Sequence, residues 1–269
     1  MKYRLIAMDL DGTLNNDRKE ITPRTREALM RAQREGLRLA LASARPLPGL
    51  YKERDALDLQ DYGGLLMAYN GGRIVDAATG AVLYETAMPL DQAKQVLRML
   101  EALPCTPILD DGRQFYVTDR NGFKVDYEAR NNRMQVDEVG NLADFIHFAP
   151  VKILMSVDPP ILKDVQARIA ALLPGELTVV QTADFYLEVL PGSIHKGQGL
   201  RDVCRLAGVP LAEAIAFGDA ENDIAMIEAA GMGVAMGNAD PRVKAAADRV
   251  TLSNNEDGIA AALEALLWR

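Results

Sequence analysis

The sequence predicts an α/β protein whose core is a doubly wound parallel sheet of Rossmann-like architecture, interrupted by an inserted α+β domain. Short apolar runs alternating with helix-period segments, each early run stopping at a polar residue, predict the sheet. Between about residues 87 and 188 that alternation gives way to short strands with aromatic content, which predicts the insert. The expected organisation is a core built from 1–86 and 189–269, with the insert at 87–188. Each core segment alone has too few strands to cover both sheet faces, so the two are read as one discontinuous domain.

The first strand, 3–8, is a buried-type run that ends at Asp9. Thr22 and Pro23 supply an N-cap and a first-turn proline for a helix in which Ala28, Leu29 and Ala32 recur at helical spacing and which closes at Gly36. Residues 37–42 give a second strand, ending at Ser43, and 65–69 a third that runs into Asn70-Gly71-Gly72. The runs 73–76 and 81–85, around Ala77-Ala78-Thr79-Gly80, read as a hairpin. The insert is expected to hold a helix at 91–103, a strand at 114–118, a polar stretch at 130–141, a strand at 151–157, a Pro-initiated helix at 160–173 and two further strands. After Pro191-Gly192 the alternation resumes: helix 196–207, strand 214–217, helix 222–230, strand 233–236 and a last helix at 257–267.

A chain of 269 residues with 49% hydrophobic and 25% charged residues is long and apolar enough to build a real core, which excludes a disordered or low-complexity protein. The excess of 38 Asp+Glu over 30 Lys+Arg leaves a net charge of −8, so neither nucleic acid nor an anionic membrane is an expected partner. Cys105 and Cys204 lack Cys-x-x-Cys spacing and read as buried thiols. The apolar run before Asp9 is too short for a secretory leader, and no stretch approaches the ~20 apolar residues of a membrane span, so a cytoplasmic location is expected. The sequence says nothing of oligomeric state.

Ligands of doubly wound sheets bind outside the carboxyl ends of the strands, near the point where the strand order reverses. The residues that follow the expected strands are Asp9 and Asp11, then Ser43 and Ala44, then Asn70, then Asp219, Asn222 and Asp223. Asp, Asn and Ser are turn formers, so any one of them alone has a plain structural explanation. Their combination points further. Clustered carboxylates repel unless a cation or proton intervenes, and an all-oxygen set suits Mg²⁺ better than zinc, which prefers His and Cys. With only His147 and His195 in the chain, a histidine-rich metal site is excluded. Mg²⁺ held by few carboxylates suggests a phosphate partner. The hydroxyl of Ser43, backbone N–H groups beside it and Lys196 after Gly192-Ser193-Ile194-His195 would supply the anion seat.

Asp9-Leu10-Asp11-Gly12-Thr13 resembles the Asp-x-Asp-Gly-Thr signature of the haloacid dehalogenase-like phosphotransferases. Ser43, Lys196-Gly197 and Gly218-Asp219-x-x-Asn222-Asp223 stand in the order of that family's second, third and fourth motifs. The position of the insert, Ala68-Tyr69-Asn70-Gly71-Gly72, Val151-Lys152-Ile153-Leu154 and the tail 231–238 are similar to the Cof-type sugar-phosphatase subgroup, so the resemblance covers essentially the whole chain. Ser43-Ala44-Arg45 departs from the subgroup's usual glycine at the middle position; an alanine N–H at negative φ still donates.

The resemblance implies that Asp9 attacks phosphorus and forms an aspartyl-phosphate, while Asp11 serves first as acid to the leaving alcohol and then as base to water. It implies Mg²⁺ ligation by Asp9, the backbone carbonyl of Asp11 and Asp219, with Asp223 in support. The N–H groups of Leu10 and Ala44, with Ser43, Lys196 and Asn222, would hold the phosphoryl oxygens. The expected function is a Mg²⁺-dependent phosphatase of small phosphorylated metabolites, sugar phosphates and cofactor phosphates among them, with the insert as a cap. A phosphomutase of the same superfamily and a noncatalytic phosphometabolite-binding regulator are the alternatives. Three residues stay open: Arg45 contacts phosphate or pairs with a nearby acid, Glu188 is oriented near Lys196 or sits on an edge strand, and His195 competes weakly with Asp11 as a base.

Overall fold

The computed structural model describes residues 2–268; Met1 and Arg269, the outer ends of the expected core segments, lie outside the described residues. By its packing the chain divides into two units. One holds the described residues of Met1–Arg45, Leu50–Glu85 and Ile194–Arg269, and the other holds Pro46–Gly49 and Thr86–Ser193.

In chain order, the first unit opens with β1 (Leu5–Met8), α1 (Pro23–Arg34), β2 (Arg38–Ala42), α2 (Tyr51–Ala56), β3 (Leu65–Ala68), β4 (Arg73–Asp76) and β5 (Val82–Glu85). The inserted unit follows with α3 (Leu90–Leu100), β6 (Thr106–Asp110), β7 (Phe115–Val117), α4 (Val125–Asn132), β8 (Val136–Glu138), α5 (Leu142–Phe145), β9 (Ile153–Ser156), α6 (Leu162–Leu172), β10 (Leu177–Ala183) and β11 (Tyr186–Pro191). The first unit then closes with α7 (Lys196–Ala207), β12 (Ala214–Gly218), α8 (Ile224–Ala229), β13 (Met232–Ala235), α9 (Pro241–Ala246), β14 (Arg249–Val250) and α10 (Gly258–Leu267).

The first unit is the expected doubly wound α/β core. Its eight-stranded sheet runs β14-β13-β12-β1-β2-β3-β4-β5. The strands from β14 to β3 are parallel, and the β3-β4-β5 end is antiparallel. From β1 the chain winds one way through α1 to β2 and β3; on re-entry it winds the other way from β12 through α8 and α9 to β13 and β14. The order therefore reverses between β1 and β12, the place where such sheets bind ligands. All of β1 is buried, because helices cover both faces of a central parallel strand. Truncating Leu5 or Ile6 there would cost about 2–5 kcal/mol. Helix α1 starts where Thr22 accepts a hydrogen bond from the Thr25 N–H and Pro23 fixes the first turn.

The inserted unit is α+β, with a six-stranded sheet in the order β10-β11-β9-β6-β7-β8. Its main core joins α3, α5 and α6 to one sheet face through Val96, Leu97, Ile153, Met155, Val165 and Leu187. A smaller core, with Ile108, Val125, Leu154 and Tyr186, lies under α4. Four details differ from the sequence expectation. The polar stretch 130–141 contains the end of α4 and β8; β6 and the two-residue β14 are additional strands; α2, α4, α5 and α9 are additional helices; and the helix expected at 222–230 begins as a 3-10 turn, Glu221–Asp223, before α8. These pieces are too short to display a hydrophobic period. No helix among the described residues is long and apolar enough to cross a membrane.

Candidate active site

The parallel register that pairs Met8 with both Leu41 and Phe217 brings the ends of β1, β2 and β12 to one edge of the sheet. The Asp9 N–H continues the ladder to the Phe217 carbonyl, 3.1 Å away, so the Asp9 carboxylate is delivered by the last rung of a buried strand. The chain then turns sharply. Gly12 takes φ +83°, and a Cβ there would lie 2.3 Å from Asp219 Oδ2. Thr13 Oγ1 donates to Asp219 Oδ1 at 2.6 Å, and Asn238 Nδ2 donates to the Gly12 carbonyl at 2.8 Å, which ties the loop to the far half of the core.

Lys196 opens α7 and is completely buried. Its Nζ lies 2.5 Å from Asp9 Oδ1 and 2.6 Å from Asp223 Oδ1. Asp223 turns its other oxygen back to accept from the Asp219 and Ala220 N–H groups, at 3.0 Å each. Asp9, Asp219 and Asp223 form a group whose ligand-type oxygens all lie within 4.8 Å of one another. Three carboxylates against one ammonium leave a surplus of negative charge. Burial pushes the Asp9 carboxyl up to about 7, with the Asp223 charge adding to it and Lys196 opposing it. Burial likewise pushes Asp219 up to about 6, against the hydrogen bond from Thr13. Burial alone would lower Lys196, yet Asp223 and Asp9 outweigh it and raise its pKa. A buried, oxygen-only, over-negative group of this kind fits a hard divalent cation.

The structure brings Asp9, Lys196, Asp219 and Asp223 into direct contact or close approach, as a single cluster. Asp11 points elsewhere: both its oxygens face the Arg45 guanidinium, at 2.6–2.9 Å, and Oδ1 also meets Lys19 Nζ at 2.5 Å. Although burial pushes the Asp11 carboxyl up, Arg45 and Lys19 together hold it below the usual carboxylate value. Of the two readings of Arg45, the acid pairing is therefore the one seen. Ser43 is buried, its Oγ accepting from the Arg45 N–H at 3.2 Å and its carbonyl accepting from the Asn70 N–H at 2.8 Å. Leu10 is buried beside Asp9, and Ala44 lies between Ser43 and Arg45. Asn222 Nδ2 donates to Asn70 Oδ1 at 3.1 Å.

Two of the open residues take other places. Glu188 sits on the interior strand β11, in a buried ion pair with Lys152 at 2.5 Å, and is not an edge-strand residue. His195 is the N-cap of α7, its Nδ1 accepting from the Gln198 N–H at 3.3 Å, so its visible work is to start the helix that carries Lys196. Thr13 and Lys19 were not singled out by the sequence. Thr13 had a signal, its place in the motif, whereas Lys19 lies in an ordinary charged loop and had none.

The family model for haloacid dehalogenase-like hydrolases matches residues 6–263. The chain belongs to the haloacid dehalogenase-like hydrolases. Within this family of hydrolases it is a phosphatase, in line with its named relatives. A pyridoxal phosphate phosphatase of Escherichia coli (strain K12), YbhA, is 30% identical over 269 residues, with 97% of each chain covered. The 5-amino-6-(5-phospho-D-ribitylamino)uracil phosphatase YitU of Bacillus subtilis (strain 168) is 30% identical over 270 residues, with 96% of each covered. Among solved structures, a haloacid dehalogenase-like hydrolase from Bacteroides thetaiotaomicron superposes with a TM-score of 0.93 at 36% identity, covering 98% of this chain and 100% of that one.

Proposed function

We propose that this protein hydrolyses small phosphorylated metabolites, sugar phosphates and cofactor phosphates, with Asp9 as nucleophile and Mg²⁺ as cofactor. The observation that carries the reading is the Asp9–Lys196–Asp223 array beside Asp219, a fixed nucleophile in a buried acidic group at the sheet's reversal point. Relatives at 30% identity are named for a pyridoxal phosphate and a ribitylamino-uracil phosphate, which supports a small phosphate monoester as substrate class.

Lys196 holds one oxygen of Asp9 and leaves the other to attack phosphorus, giving an aspartyl-phosphate and releasing the alcohol. Asp9, the Asp11 carbonyl and Asp219 would hold Mg²⁺, with Asp223 acting from behind through Lys196 and the Asp219 N–H; the ion supplies positive charge against the anionic phosphate. The N–H groups of Leu10 and Ala44, the Ser43 hydroxyl, Lys196 and Asn222 bind the phosphoryl oxygens and keep the group in line. Asp11 gives a proton to the leaving oxygen and then takes one from the attacking water. Its ionised pairing with Arg45 and Lys19 is the state suited to the second task; the first requires that pairing to loosen. We further propose that the insert, 87–188, acts as a cap that selects the leaving group.

The test is phosphate release from sugar phosphates, pyridoxal phosphate and p-nitrophenyl phosphate, with Mg²⁺ or excess EDTA, beside Asp9→Asn. Release that needs Mg²⁺ and disappears in the variant supports the reading. Recovery of an isomeric phosphate ester in place of free phosphate would replace hydrolysis by a mutase reaction.

A further inference from the structure

The turn after β3 departs from ordinary backbone geometry: Tyr69, Asn70 and Gly71 take φ +53°, +56° and +99° in succession. Glycine adopts the left-handed region freely and Asn tolerates it, but a bulky Tyr enters it only when its surroundings compel it. Asn-Gly is a common hairpin turn pair, which accounts for a short connection between β3 and β4. It does not account for what this turn holds. The Tyr69 N–H donates to the Arg45 carbonyl at 3.1 Å, and the Asn70 N–H donates to the Ser43 carbonyl at 2.8 Å. A Cβ on Gly71 would lie 2.7 Å from Gly199 Cα, so the turn also rests directly on the first turns of α7, the helix that begins with Lys196. The Asn70 side chain, itself buried, accepts from Asn222.

We propose that Asn70 is a positioning residue for phosphoryl binding: its carboxamide orients Asn222, and its left-handed backbone clamps the Ser43 segment to it. The inference rests on the phosphatase reading and adds to it a residue that does not touch the reacting atoms. Strained backbone persists where the surroundings over-determine it, and here three segments of the site converge on one turn. An Asn is suited to the position on two counts, its tolerance of positive φ and its acceptor oxygen at the end of a short side chain.

Asn70→Gly separates this role from a merely structural one, because glycine accepts the same φ without strain and removes only the carboxamide. Its Tm is expected within about 4 °C of wild type. Its kcat/KM for a sugar phosphate, and its affinity for inorganic phosphate read from the thermal shift, are expected to fall about tenfold. In an Asn222→Ala background the same substitution should change either quantity less than about twofold, since the group it orients is gone. Wild-type values for Asn70→Gly, or an equal loss in both backgrounds, would overturn the proposal. If the wild type releases phosphate from no ester, the phosphatase reading fails, and the inorganic-phosphate shifts of the four proteins still decide the role of Asn70.

Discussion

Lys196 Nζ lies 2.5 Å from Asp9 Oδ1 with no exposure to solvent, and the same ammonium reaches Asp223 Oδ1 at 2.6 Å. One cation thus orders the proposed nucleophile and the carboxylate that shapes the Asp219 loop. Removing it leaves two buried carboxylates without their counter-charge. Lys196→Met keeps the length of the side chain, so the loss is electrostatic, and about 3–5 kcal/mol of stability is expected to go with it. Urea unfolding in EDTA measures this, and a loss below about 1 kcal/mol would contradict the role given to the ammonium.

The acidic group makes a second expectation. A cation that binds the folded state alone stabilises it by about 2.7 kcal/mol at 100 times its Kd. Mg²⁺ is therefore expected to raise Tm, EDTA to reverse the rise, and Asp219→Asn to remove most of it while the protein stays folded. Asp219 is the informative position because Thr13 donates to its Oδ1, whereas both oxygens of Asp223 are engaged, one by Lys196 and the other by two backbone N–H groups. A Mg²⁺ shift of equal size in Asp219→Asn would place the ion elsewhere.

How much of this was legible in the sequence follows from where the information lies. Strands buried on both faces read as unbroken apolar runs, so the ends of β1, β2 and β12 were visible, and with them Asp9, Ser43 and Asp219. The late start of α8 was not. Asp223 reads as a helix residue, but its carboxylate folds back onto the Asp219 and Ala220 N–H groups and holds 221–223 in a 3-10 turn. Pairings between distant residues are likewise absent from any local pattern. Arg45 and Asp11 are 34 positions apart, and Lys152 and Glu188 are 36 apart. Topology alone brings each pair together.

The Lys152–Glu188 pair, buried on β9's approach and on β11, gives a third expectation. Lys152→Met leaves Glu188 charged and buried and should cost about 3–5 kcal/mol. Adding Glu188→Leu to that variant should recover part of the loss, because the Glu188 charge goes with its partner while Glu128, which Lys152 also faces, still lacks it. Unfolding free energies of the four proteins form the cycle. Additive losses would mean that the two side chains do not stabilise one another.

Glu128, on α4 near this pair, provides a pH test. Burial raises its carboxyl above the ordinary 4.5, as does the Glu188 charge, while Lys152 and hydrogen bonds from Tyr186 and Asn132 oppose them. The folded state therefore holds this proton more tightly than the unfolded chain does. The stability it contributes is present in full below pH 4.5 and is lost as pH rises through the folded value. Glu128→Gln is a neutral side chain of the same shape that still accepts from Asn132 Nδ2, so it behaves as the protonated form at every pH. The variant should match wild type near pH 4 and become the more stable of the two by pH 8, in urea unfolding across that range. A difference that does not change with pH would mean that Glu128 titrates alike in the folded and unfolded chain, and that Lys152 offsets the whole cost of its burial.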